Sequence, residues 1–90
     1  MEDTGPNPAA PITLKLKFQP EVLYRLYDDF DDELITRNPD GTSCVAIGLP
    51  LDEWVFGYIL SYGSNVEVLE PPQVRREIQE RLKRALEFYQ

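Results

Sequence analysis

Leu34-Ile35-Thr36-Arg37-Asn38-Pro39-Asp40-Gly41-Thr42-Ser43-Cys44-Val45-Ala46-Ile47-Gly48-Leu49 is the stretch, residues 34–49, whose reading decides the fold. Its centre, Asn38-Pro39-Asp40-Gly41, is a turn in which proline fixes φ and glycine frees it. The flanking segments, 34–37 and 42–49, are therefore expected to pair as a β-hairpin. Upstream, residues 12–18 alternate strictly. Ile12, Leu14, Leu16 and Phe18 share one face and Thr13, Lys15 and Lys17 the other, the pattern of a half-buried strand. Pro20 suits a first helical turn, and Val22, Leu23, Leu26, Tyr27 and Phe30 follow at the spacing of an amphipathic helix over 20–29.

Downstream of the hairpin the order mirrors this. Asp52 is a good cap for a second helix that should stop near Gly63, and residues 66–69 read as a short strand. Pro71-Pro72 opens a last helix with Val74, Ile78, Leu82, Ala85, Leu86 and Tyr89 along one face. The sum is βαββαβ plus a terminal helix. Two βαβ halves around a hairpin predict an α+β, ferredoxin-like sandwich with an additional C-terminal helix. In that arrangement the first and third strands are central, flanked by the fourth and second, and one sheet face stays open to solvent. Residues 1–11 hold three prolines and a glycine and almost no large apolar side chain, so they are expected to be a disordered linker before a domain spanning 12–90.

Ninety residues suffice for one hydrophobic core and not for two. Hydrophobic residues at 42% and charged residues at 28% place the chain among folded proteins rather than disordered ones. A formal net charge of −7, with a pI near 4.4, repels phosphate backbones and anionic lipid heads, so no direct nucleic-acid or membrane partner is expected. The longest nearly apolar run, 54–60, is far short of the roughly 20 residues needed to span a bilayer. A lone Cys44 and the lack of signal-peptide character point to a reducing, cytoplasmic setting.

Chemistry is sparse. The chain has no histidine, the commonest general base and metal ligand. Cys44 has no basic sequence neighbour to activate it. Asp28, Asp29, Asp31, Asp32 and Glu33 lack the glycine and terminal glutamate of a calcium loop, and read as a solvated helix end. Arg81, Arg84 and Lys83 stand four residues from Glu77, Glu80 and Glu87, so the basic residues of the last helix read as a salt-bridged outer face. No enzyme activity, metal or cofactor is expected.

Two surfaces remain as candidates. Trp54, Val55, Phe56, Tyr58, Ile59, Leu60 and Tyr62 surround the second helix, although packing on a sheet needs only about a 100° apolar stripe. The surplus must be covered by the last helix of the same chain or by another surface. Trp54, Tyr58 and Tyr62, at i, i+4 and i+8, are the candidate contact for self-association. On the open sheet face, Lys15 and Lys17 should lie beside the small residues Cys44, Ala46 and Gly48. That furrow could take an anionic ligand or an acidic partner segment, or Glu67 could close it as an ordinary cross-strand pair.

The run Asp52-Glu53-Trp54 to Ile59-Leu60-Ser61-Tyr62-Gly63, then Val66-Glu67-Val68-Leu69-Glu70-Pro71-Pro72 and Val74-Arg75-Arg76-Glu77-Ile78, resembles the C-terminal extension, WCX, of WYL-domain bacterial transcriptional regulators. The likeness covers about residues 11–89. It implies a ferredoxin-like regulatory domain, contributing to dimerisation and coupling an effector-sensing WYL domain to DNA binding by a helix-turn-helix domain. Both of those domains would be upstream partners in a parent protein, since neither motif occurs in this chain. The rival reading is a small-molecule domain of ferredoxin-like type that binds an anionic metabolite, which is analogy at the level of fold.

Overall fold

The Asn38–Thr42 segment closes as a tight turn because several groups satisfy one another locally. Asn38 N–H donates to the Thr42 carbonyl (2.8 Å) and Gly41 N–H to the Asn38 carbonyl (3.1 Å). Asp40 Oδ1 accepts from the Thr42 amide (2.9 Å) and its hydroxyl. These bonds, those from Thr42 above all, hold the Asp40 carboxyl below its ordinary range. Gly41 has φ +92°, a region open to glycine at little cost. The computed structural model describes residues 11–90, and in it this turn joins β2 (Ile35–Arg37) to β3 (Ser43–Pro50). β2 starts one residue later than expected because Asp32–Leu34 winds into a 3-10 turn, with Leu34 N–H bonded to the Asp31 carbonyl.

The alternating segment forms β1 (Pro11–Phe18), and β4 spans Val66–Glu70. All pairings are antiparallel, in the order β2-β3-β1-β4, with β1 and β3 central as the sequence predicts. Leu14 faces Ile47, Leu16 faces Val45 and Phe18 faces Ser43, so the apolar sets of the two central strands share a face. A bulge between Lys15 and Leu16 shifts the β1–β4 register. The linker expected over 1–11 lies outside the described residues, except for Pro11, whose backbone opens β1.

Three helices cover the apolar face: α1 (Leu23–Asp29), entered through a 3-10 turn at Pro20–Val22, α2 (Glu53–Leu60) and α3 (Pro72–Leu86). Asp52 caps α2 as expected, its Oδ1 accepting from the Val55 amide at 3.0 Å. One core unites Leu14, Leu16 and Phe18 with Leu26 of α1, Val55, Phe56 and Ile59 of α2, and Val74 and Ile78 of α3. The described chain is thus an α+β fold with a four-stranded antiparallel sheet. The last helix departs from expectation. Val74 and Ile78 are buried, but Leu82, Leu86 and Tyr89, on the same stripe, are exposed. The 15-residue helix, rising ~1.5 Å per residue, outruns the core that buries its first two turns.

Candidate interaction surface

The C-terminal end of α1 and the outer side of α2 meet over β3, and aromatic side chains fill the junction. Tyr62, just past α2, packs its ring against Phe18 at a centroid distance of 4.8 Å, and Tyr58 lies edge-on to Tyr62 at 5.4 Å. Trp54, one turn earlier, stacks on Tyr58 at 5.3 Å with only 10° between the planes. The i, i+4, i+8 spacing therefore brings all three together, but at different depths. Tyr62 is 4% exposed and Trp54 66%, so Tyr62 belongs to the core and the accessible surface consists of Trp54 and the edge of Tyr58. The last helix does not cover Trp54. It lies on the other side of α2, where Arg81 sits 4.5 Å from the Phe56 ring and its Nη2 is 2.6 Å from Glu53.

Beneath the aromatic pair, Asp29 organises the polar atoms. Its Oδ2 accepts from both phenols, Tyr58 and Tyr62, which are themselves 2.9 Å apart. The hydrogen bond from Tyr58, followed by that from Tyr62, lowers the Asp29 carboxyl below its ordinary range, and Arg25 adds a smaller pull in the same direction. Burial, reinforced by the bonds to Asp29 and Tyr62, pushes the Tyr58 phenol well above 10. Arg25 lies 3.9 Å from the Tyr62 ring centroid and bonds Ser61 Oγ at 2.9 Å, clamping α1 to the end of α2. Sequence reasoning missed Arg25 and Asp29, reading Asp29 as one of several solvated acids. Their i,i+4 spacing was visible, but their tyrosine partners lie about 30 residues away.

Between these elements opens an apolar groove of about 340 Å³, lined by Phe30, Ile47, Leu49, Trp54 and Tyr58, with Asp29 as its one charged lining residue.

The open sheet face carries the second candidate. The register sets Lys15 opposite Ala46, Lys17 opposite Cys44 and Thr13 opposite Gly48. A groove of about 410 Å³ is lined by Lys15, Cys44 and Ala46 together with Glu33, Thr36 and Leu69, while Lys17 and Gly48 lie outside it. Lys15 Nζ is 3.6 Å from Glu70. Glu67, opposite Lys17 in the β1–β4 register, is bonded by Arg75 at 2.8 Å. Glu33 thus matches the one lysine in the lining, and Glu70, outside it, pairs with that lysine. The Cys44 thiol receives a bond from Asn38 Nδ2 at 3.4 Å.

Among the described residues no group of three or more His, Cys, Asp or Glu is placed to hold a metal, and no helix is long and apolar enough to cross a membrane. No solved structure matches the chain. A relative from Bacillus subtilis (strain 168), named an uncharacterized HTH-type transcriptional regulator YobV, is 28% identical over 78 residues, which is 86% of this chain and 25% of the relative. The chain thus spans about a quarter of that relative's length. The family described as WCX domain matches residues 10–86, a span that takes in all four strands and all three helices. On that match the chain belongs to the WCX domain family.

Proposed function

We propose that this chain is a non-catalytic regulatory module of a bacterial transcriptional regulator, acting beside upstream WYL and helix-turn-helix domains. In this reading it links subunit association and effector sensing to DNA binding by those domains, and it is a ferredoxin-like domain with one added helix, a reading that the β2-β3-β1-β4 order supports. The observation that carries the reading is the match across 86% of this chain to only 25% of an HTH-type transcriptional regulator, which leaves most of a parent protein for DNA reading. Two exposed apolar surfaces give such a module something to do. Trp54 and Tyr58, supported from below by Tyr62, face an effector or a neighbouring domain. The projecting end of α3 and the 3-10 turn after it (Glu87–Tyr89), with Leu82, Leu86, Phe88 and Tyr89 exposed, face a second subunit. The lysine-lined groove is the weaker site for an anionic metabolite, because Glu33 shares its lining and Lys15 is already paired with Glu70.

Sedimentation velocity of the 90-residue chain over a hundredfold concentration range tests the association. A dimer that Leu86→Glu shifts to monomer is expected. A chain that is monomeric throughout, before and after the substitution, would remove homodimerisation from the proposal.

A further inference from the structure

The Trp54 groove has an unusual composition for an acidic protein surface: three aromatic rings, two aliphatic side chains and one carboxylate, with no lysine or arginine in its lining. Its volume, about 340 Å³, lies at the lower end of the range for small-molecule sites. Contacts within the protein orient two of the walls. Trp54 is held parallel to Tyr58, and Tyr58 is tethered through its hydroxyl to Asp29. A phenol that donates to a carboxylate has a more electron-rich ring, and indole is the best aromatic face for a cation. The same aromatic cluster already accepts one cation internally, the Arg25 guanidinium, 3.9 Å from the Tyr62 ring centroid and 5.9 Å from that of Tyr58. That guanidinium also lies 3.6 Å from Asp29, so the rings and the overall charge of −7 supply much of the remaining attraction.

We propose that this groove binds a small organic amine: an ammonium group set against the Trp54–Tyr58 pair within reach of Asp29, and an apolar body on Phe30, Ile47 and Leu49. The three apolar residues give the body a place out of water, and the carboxylate end fixes its orientation. An anion of the same shape meets Asp29 and the negative ring faces and is rejected. This inference rests on the effector-sensing half of the function proposed above and is independent of self-association through α3.

The probes are phenethylammonium, its neutral counterpart phenethyl alcohol, and phenylacetate, titrated into the intact 90-residue chain. Trp54 is the chain's one tryptophan, so its fluorescence reports the groove directly, and amide shifts of residues 29–30, 47–49 and 54–58 locate the contact. The ammonium probe is expected to bind about tenfold more tightly than the alcohol, the scale of one partly desolvated cation–π contact. Phenylacetate should bind more weakly than either. Trp54→Ala, which removes an exposed side chain and so preserves the fold, should abolish the amide shifts, and Trp54→Phe should restore part of them. Equal affinity for ammonium and alcohol, or tighter binding of phenylacetate, would overturn the amine assignment, as would no response to any probe. A lysine-containing peptide binding far more tightly than the amine would also overturn it, in favour of a protein segment. Sedimentation of the same samples separates the two proposals: failed amine binding in a chain that dimerises refutes only the ligand class.

Discussion

At Asp29 one carboxylate oxygen accepts from two phenols that lie 29 and 33 residues further along the chain, so a single side chain ties α1 to two of the three rings of the aromatic stack. The consequence for stability follows from the direction of each shift. Asp29 has a folded-state pKa below its ordinary 3.8, so its contribution is fully present above that value and is lost as pH falls through the lower, folded one. Tyr58 and Tyr62 are raised above 10, so theirs is fully present below 10 and is lost as pH rises further. Asp29→Asn is expected to destabilise the chain by about 1 kcal/mol at neutral pH, since the amide keeps an acceptor but not the charge. Urea midpoints for the two proteins should begin to converge below about 4 and meet once the pH lies below the lowered folded-state value, where protonation removes the wild-type advantage. A gap that persists there would mean the substitution acts through packing. None of this was legible in the run of acids around Asp29, because nothing local distinguishes the one that meets tyrosines from those that meet water.

The elements differ in how much of their stability comes from tertiary contact. The eight-residue α2 is too short to stand alone, and it carries Gly57 at an exposed position where an added Cβ would meet nothing within 4 Å. Gly57→Ala should therefore stabilise by about 0.5–1 kcal/mol, and loss of the cap in Asp52→Ala should cost about 1 kcal/mol. In α3, Ile78 is buried and Leu86 is 53% exposed. Ile78→Ala is expected to cost about 2–4 kcal/mol and Leu86→Ala, in a monomer, less than about 0.5 kcal/mol. Thermal or urea unfolding at low protein concentration ranks the four, and equal losses at positions 78 and 86 would mean that the end of α3 folds back onto the core. Element type and order were legible because alternation, proline placement and the Asp52 cap are local signals. Where α3 leaves the core was not, since Leu82 and Leu86 continue the periodicity of Val74 and Ile78 and only the size of the sheet decides which are covered. The exposure of Trp54 was hidden for the same reason: it depends on which side of α2 the last helix takes.

At the scale of the whole molecule, charge decides what the chain can touch. The strand order could be reasoned from sequence because a hairpin between two βαβ halves leaves few arrangements, whereas the pairing of charges across elements could not. Glu77–Arg81 formed as spacing predicts, but Arg81 also reaches Glu53 of α2 and Arg75 reaches Glu67 of β4, contacts that no i,i+4 rule contains. Lys83 and Arg84 lie 3.9 Å from Glu80 and Glu77. Phosphate binding by Arg75, Arg81, Lys83 or Arg84 would have to displace these carboxylates while the net charge of −7 repels the duplex. The chain is therefore expected to bind labelled duplex DNA no more tightly than about 10⁻⁴ M, the weak end of non-specific association, even at 50 mM salt where phosphate contacts are strongest. Fluorescence anisotropy with several unrelated duplexes measures this. Micromolar binding with a steep salt dependence would show that the α3 arginines exchange their carboxylate partners for phosphates. In that event the module would contact DNA itself, and the proposed division of labour with an upstream helix-turn-helix domain would have to be abandoned.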